Sequence, residues 1–188
     1  RLSLVGSEMC IRDRSSHDRP VDILHDGFDC VIRTGASPED GVIARPLGKL
    51  TVVNCASPHY LTRFGYPQSP DDLTSHAIVR YTPHLGVHPL GFEVASVNGV
   101  QWFKSGGMLT VNSRENYLAA GLAGLGIIQI PRIAVREALR AGRLIEVLPG
   151  YRAEPLSLSL IYPQRRELSR RVNLFMQWLA GVMKEYLD

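Results

Sequence analysis

Apolar and polar residues alternate along most of the chain with the periods of helices and strands. Residues 169–187 predict a helix, because their apolar side chains are spaced three and four positions apart. Residues 156–162 predict a strand, because leucines alternate with two serines. The same periodicities and the turn residues also predict helices over 20–26, 57–64, 69–76, 112–124 and 132–140, and strands over 28–33, 42–47, 49–55, 77–81, 92–97, 100–103, 108–111, 127–130 and 144–148.

Turn and cap residues mark where these elements begin and end. Asn98-Gly99 between two β-forming runs is a strong hairpin signal, and a turn is predicted at Gly48 between two strands. Asn112 is expected to cap a helix, with an acid three residues later. The alternation of helices and strands, interrupted by the hairpin region 84–111, indicates an α/β fold with mostly parallel sheets.

Composition and charge narrow the function classes. The chain has 188 residues, 45% hydrophobic and 21% charged, so it can bury a core as one domain or as two small lobes. A net charge of +3 is too weak to predict DNA binding by this segment. Three widely spaced cysteines (Cys10, Cys30, Cys55) form no metal or disulfide pattern, which favours a reduced, cytoplasmic protein. No apolar run approaches the ~20 residues of a membrane span, and no signal peptide is visible.

The first sixteen residues differ from the rest of the sequence. They hold no persistent periodicity, and the run from Leu4 to Arg14 resembles the conceptual translation of a sequencing-library adapter. We therefore expect residues 1–16 to be a non-native tail. The alternative is a short native strand over residues 2–5.

Candidate catalytic motifs are weak. The sequence has no Gly-x-Ser-x-Gly elbow, and none of its six histidines has a metal-ligand spacing. His84 and His88 share a loop and could form a ligand or proton-sensing pair, although two solvated histidines are the commoner case. The glycine-rich run 121–126 resembles a phosphate loop, but it ends a predicted helix, where close packing and a C-cap explain the glycines. The sequence therefore indicates no enzyme, no metal and no cofactor.

Two loop positions are better binding candidates. Arg33-Thr34-Gly35 follows a predicted strand, and ligands of open α/β sheets lie beyond the carboxyl ends of strands. Asn112-Ser113 begins a predicted helix, whose free amides and dipole favour a carboxylate or another anion. An ordinary strand-exit turn and a simple helix cap remain the alternatives.

Three stretches of the sequence, taken in order, follow the motifs of one protein family. Residues 19–35 are similar to the family pattern D-R-x-V-D-L-x-x-x-G-F-D-x-A-I-R-x-G. Residues 55–61, C-A-S-P-H-Y-L, are similar to the family's crossover C-A-S-P-x-Y-L. Residues 119–127 together with Pro131 are similar to A-x-x-G-x-G-I-x-x-x-P. Together these stretches resemble the effector-binding domain of LysR-type transcriptional regulators, and the resemblance covers residues 17–188.

The resemblance implies a two-lobed, type 2 periplasmic-binding-protein-like fold with two crossover strands. Lobe I would comprise 17–55 and 156–188 and would lack its N-terminal elements, and lobe II would comprise 56–155. A small-molecule effector, with an organic anion as one candidate class, would bind in the cleft between the lobes. Promoter DNA would be bound only through a winged helix-turn-helix that is missing from this fragment, within a homodimer or homotetramer.

The family's effector contacts correspond by position to a small set of residues, which is given at the end of this paragraph. Two other functions remain open. A periplasmic solute-binding protein of a transporter would have the same fold but would need a signal peptide. An enzyme on this fold would need a nucleophile–base pair or a metal constellation. The matching effector positions are Arg33, Thr34, Gly35, Tyr81, Pro83, Asn112 and Ser113.

Overall fold

A computed structural model describes residues 15–16, 21–35, 40–82, 91–164 and 169–187. The strands are β1 (Val31–Thr34), β2 (Val42–Leu50), β3 (Val52–Ala56), β4 (Ala77–Tyr81), β5 (Phe92–Ser96), β6 (Gly99–Phe103), β7 (Gly106–Val111), β8 (Ile128–Pro131), β9 (Ile145–Glu146) and β10 (Leu156–Pro163). The α-helices are α1 (Pro58–Phe64), α2 (Arg114–Leu122), α3 (Arg132–Arg140) and α4 (Arg170–Met183), and two 3-10 helices cover Pro70–Ser75 and Lys184–Tyr186.

The first sheet has three strands, in the order β1-β10-β2. β10 lies between the other two and runs antiparallel to both, with Val31 opposite Ile161 and Leu156 opposite Leu50. The buried residues of β10, among them Leu158 and Leu160, form the interior of this sheet. β10, near the end of the sequence, thus completes a sheet with β1 and β2 from its beginning.

The second sheet is built around β3, which is buried at all five of its positions. β3 lies between β8 and β9 and is antiparallel to both. β4 and β7 form a parallel pair, and hydrogen bonds from Val79 N to Ile127 O (3.0 Å) and from Ile127 N to Ala77 O (2.9 Å) join that pair to β8. Among the described strands of this sheet, β3 alone runs against the others.

The predicted mostly parallel pairing is therefore wrong for the described strands. β4–β7 and the single bridge beside β8 are the parallel pairings, and every other ladder is antiparallel. The physical reason is that β3 and β10, which belong to the segments connecting the two sheets, are each inserted between strands of opposite direction. Helix–strand alternation predicts neighbours but does not specify the direction of such an inserted strand.

The two sheets are joined by two connections. β2 passes into β3 through Thr51, and residues 147–155 lead from β9 back to β10. The predicted turn at Gly48 is wrong, because β2 continues through Gly48 and the sheets change at Thr51 instead. Gly48 lies beside an irregularity in the β2–β10 register and has φ +153°.

A buried amide holds the two connections together. The Asn54 side chain is fully buried in β3 and donates to Leu148 O (3.2 Å) and Tyr151 O (2.8 Å) of the returning segment. Its own oxygen accepts a hydrogen bond from Gln129 Nε2 (2.9 Å). Leu148 has the left-handed φ of +49°, and its carbonyl also closes a turn with Tyr151 N. Because all polar atoms of this buried amide are partnered, the segments stay in one register.

Most predicted helices and the hairpin are confirmed, but the segment predicted as a helix over 69–76 forms a 3-10 helix, and two further predictions are corrected. Ser57 caps α1, the hairpin forms as β5–β6, and α3 has its predicted bounds. The helix predicted over 20–26 is wrong in its described part. Instead a single turn forms, closed by Asp26 N donating to Asp22 O (2.8 Å), and the Asp22 carboxylate accepts from the next amides. The helix predicted to be capped by Asn112 is capped by Ser113.

We predict that Asn54→Leu lowers the free energy of unfolding by about 2–3 kcal/mol. The substitution leaves Tyr151 O and one donor position of Gln129 without buried partners, and each such group costs about 1–3 kcal/mol. Urea unfolding measures the change. Asn173→Leu, the same substitution at an exposed position of α4, is the control and should change stability by no more than about 0.5 kcal/mol. Equal effects of the two substitutions would contradict the role given to Asn54.

A second prediction concerns His76, which is buried and hydrogen-bonded through Nδ1 to the Tyr60 hydroxyl (3.1 Å). Burial lowers the pKa of His76, and the nearby Asp72 offsets this only in part. The unfolded chain therefore binds a proton first as the pH falls below about 6.5, so stability is full above that pH and declines below it. Unfolding measured at pH 7.5 and 5.0 should show a smaller loss for His76→Gln than for the parent, whereas His59→Gln on the exposed side of α1 should match the parent. An unchanged loss in His76→Gln would refute the assignment.

Candidate functional site

The first group of candidate residues lies at the carboxyl end of β1. Thr34 is the last residue of the strand and pairs with Leu158. The next residue, Gly35, has φ +62° and donates its amide to Ser157 O (2.9 Å). The Arg33 guanidinium donates to Val21 O (2.9 Å), which holds the preceding turn against the strand. The start of this loop is thus fixed against the first residues of β10.

The second group lies where β4 and β7 end. Tyr81 ends β4 opposite Val111 in parallel register, and Thr82 N donates to Val111 O (3.0 Å). Asn112 and Ser113 follow β7 directly and are half-buried. The structure therefore brings the strand exit at Tyr81 together with the start of α2. Pro83, His84 and His88 lie outside the described residues.

The start of α2 offers a positively polarised surface. Ser113 Oγ accepts from Asn116 N (3.5 Å), and Tyr117 N donates to Ser113 O in the first helical bond. Asn112 precedes the cap, so its side chain is not used to cap the helix. The amide dipoles at this end favour a negative group by about 0.3–1 kcal/mol.

Both groups lie on the side of their sheets that faces the connections. In the first sheet, Thr34 and Leu50 end their strands opposite the first residues of β10. In the second sheet, the end of β8 at Pro131 lies opposite Val52, the first residue of β3. Since β4 and β7 are parallel to β8, their ends point the same way. The topology therefore directs both groups of residues toward the junction of the sheets, as ligand groups of an open α/β fold require.

Sequence reasoning missed a polar path behind the second group. The Tyr81 ring lies 5.8 Å from that of Tyr117, whose hydroxyl oxygen accepts from Gln129 N (2.8 Å). Gln129 in turn bonds Asn54 (2.9 Å), so the strand exit is linked to the connections. Burial raises the pKa of Tyr117 beyond the ordinary range, so its hydroxyl stays neutral. Thr82, a buried hydroxyl next to Tyr81, could have been included from its place at the strand exit.

Within the part of the chain that the structure describes, the candidate site has polar side chains and backbone amides but no reactive constellation. No three His, Cys, Asp or Glu side chains are arranged there to hold a metal ion. Burial raises the pKa of the Cys55 thiol to about 12, so this cysteine is a poor nucleophile. A groove of about 360 Å³ lies elsewhere, between α3 and the C-terminal residues, and includes none of the predicted site residues.

Comparison with known families decides the identity of this fold. The LysR substrate-binding domain matches residues 13–184, which is nearly the whole chain. The chain belongs to the LysR substrate-binding domain family. Within the described residues, no helix is both long and apolar enough to cross a membrane.

Relatives of this LysR domain are transcriptional regulators. The HTH-type transcriptional regulator YhjC of Escherichia coli (strain K12) is 97% identical over 174 residues, covering 93% of this chain and 58% of that protein. The HTH-type transcriptional activator AaeR of the same strain is 30% identical over 166 residues, covering 87% of this chain and 52% of that protein. The chain thus spans little more than half the length of these relatives. The alternative of a transporter's solute-binding protein receives no support from them.

Solved structures confirm the fold. The regulatory domain of CrgA, a LysR-type regulator from Neisseria meningitidis, superposes with a TM-score of 0.73 at 24% identity, covering 85% of this chain and 77% of that one. The effector domain of AmpR from Pseudomonas aeruginosa gives a TM-score of 0.71 at 22% identity, covering 91% and 81%. The predicted two-lobed, periplasmic-binding-protein-like α/β fold is therefore correct.

We predict that Ser113→Ala destabilises the domain by about 0.5–1 kcal/mol, because it removes the cap of α2. Asn112→Ala should change stability by less than about 0.5 kcal/mol, since Asn112 lies before the cap. Urea unfolding of the two variants distinguishes the positions. A larger loss from Asn112→Ala would restore Asn112 as the cap.

Proposed function

We propose that this chain is the effector-sensing domain of a LysR-type transcriptional regulator. A small-molecule effector binds between the two sheets, where the strand ends at Thr34 and Gly35 face those at Tyr81, Asn112 and Ser113. The observation that carries the proposal is the shared direction of these strand ends, which point toward the junction of the sheets in both cases.

The chemistry of the groups supports an organic anion as the effector. Thr34 and Ser113 offer hydroxyls, Gly35 lies at a turn, and the amide dipoles of α2 favour negative charge. Arg33 adds a guanidinium beside Thr34, although it also donates to Val21 O. Such groups bind and orient a carboxylate without a general base or nucleophile, so the domain performs no reaction on its ligand.

Sensing would act by shifting a population of interlobe angles. A ligand that contacts both lobes favours the angle at which both sets of contacts are made, with coupling of about 1–3 kcal/mol. The lobes correspond to the two sheets. We place the first boundary at Thr51, because β3 belongs to the second sheet, and the second boundary near residue 155. Lobe I is then 17–51 with 156–188 and lobe II is 52–155, whereas the sequence indicated 17–55 with 156–188 and 56–155.

The whole regulator would bind promoter DNA through an N-terminal helix-turn-helix domain and act in the cytoplasm as a homodimer or homotetramer. The names of the similar proteins support the DNA-binding role, since each is an HTH-type regulator. The effector domain requires no metal or cofactor in this proposal. Residues 1–14 lie outside the described residues, so the expected non-native tail stays a prediction.

A thermal-shift screen of organic acids on the full-length regulator tests this function. A true effector should raise the melting temperature with concentration, and saturation at about 100 times Kd corresponds to about 2.7 kcal/mol of stabilisation. Thr34→Ala combined with Asn112→Ala should remove most of that shift.

The matched control combines Thr62→Ala with Asn98→Ala, at an exposed position of α1 and at the hairpin tip. These substitutions should leave the ligand-induced shift unchanged. If Thr34→Ala with Asn112→Ala leaves the shift intact as well, the effector binds elsewhere and the proposed site is wrong.

A further inference from the structure

The last described residues contact both halves of the molecule. Leu187 packs on Gly48 of β2, so closely that a Cβ at Gly48 would lie 3.1 Å from the Leu187 Cβ. The ring centroid of Tyr186 lies 5.8 Å from the guanidinium carbon of Arg136. Gly48 belongs to the first sheet, whereas Arg136 lies on α3, which packs on the second sheet through Val135.

These contacts span a groove rather than a packed core. The groove, of about 360 Å³, has the connection at Leu50 and Thr51 among its lining residues, together with α3 and the C-terminal residues. Neither buried core cluster of the second sheet includes Tyr186 or Leu187, so the contacts of these two residues lie at the open groove. The Tyr186 and Leu187 contacts therefore oppose rotation of one sheet relative to the other, and breaking them requires little free energy.

The ion pairs of the neighbouring arginines distinguish Arg136, which contacts the Tyr186 ring. Along the same face of α3, Arg132 pairs with Glu146 (2.7 Å) and Arg140 with Glu137 (2.9 Å). In the described part of the chain, the Arg136 guanidinium instead lies over the Tyr186 ring, as a cation–π contact. The three arginines differ in their partners, and Arg136 is the one directed to the C-terminal residues.

We propose that Tyr186 and Leu187 form a C-terminal clasp that holds the two sheets at one relative angle across the connection at Thr51. Tyr186 is attached to the second sheet through Arg136, and Leu187 to the first through Gly48. Release of the C-terminal clasp would leave the connections paired through Asn54 but allow them to bend near Thr51, which would shift the angle at which a ligand is bound. The C-terminal clasp itself stands without a ligand, whereas its part in sensing rests on the proposed function.

Hydrogen exchange of the ligand-free, full-length regulator tests the C-terminal clasp. Tyr186→Ser and Arg136→Gln should each speed exchange in peptides covering 47–55 and 147–157 by a factor of about two to five, the equilibrium factor of one exposed cation–π contact. The double variant should exchange no faster than the faster single variant, because both remove the same contact. Arg136→Lys keeps the cation and should remain near the parent.

The matched control is Arg63→Gln, which removes a cation–π contact to Phe64 (5.2 Å) within α1. It should leave exchange at both connections unchanged. If exchange in Tyr186→Ser rises only over residues 184–187, or does not change, the residues merely pack at the chain end and the C-terminal clasp is refuted. Because no ligand is present, this result is independent of the effector screen, so either proposal can fail alone.

Discussion

The structure depends on the buried Asn54 amide, where the two connections between the sheets meet. Its donors bond the carbonyls of Leu148 and Tyr151, and its oxygen accepts from Gln129. A buried amide without partners would cost several times the net gain of one ordinary hydrogen bond, so separation of these strands is strongly opposed. The two sheets can change their relative angle, but their connections stay side by side.

This constraint positions the candidate ligand groups. With β10 and β3 each inserted against their neighbours, the remaining strands of both sheets end toward the junction. The loops at those ends carry hydroxyls, amides and a helix start. Tyr117 and Gln129 link one of these ends to Asn54, and Glu146 binds both Arg132 and Arg152 beside the returning connection. The paired connections thus support the loops that carry the candidate ligand groups.

Local chemistry predicted local structure well. Ser57-Pro58 fixed the start of α1, and apolar periodicity gave α3 its bounds, because these signals involve neighbouring residues only. Strand direction and the passage of β2 through Gly48 depend on β10, more than 100 positions away, and no local pattern encodes them. A strand exit and a helix start indicated Arg33-Thr34-Gly35 and Asn112-Ser113, and the family resemblance added Tyr81 and Pro83. Periodicity alone gave no sign that Asn54, one polar residue in an apolar strand, holds the connections.

The proposed effector contacts both sheets at their facing strand ends. The most direct measurement is a titration of amide chemical shifts with an organic acid that stabilises the protein. Residues 33–35 and 111–113 are expected to shift together, with one common dissociation constant. Shifts confined to one of these segments, or centred on α3 and residues 185–187, would contradict it.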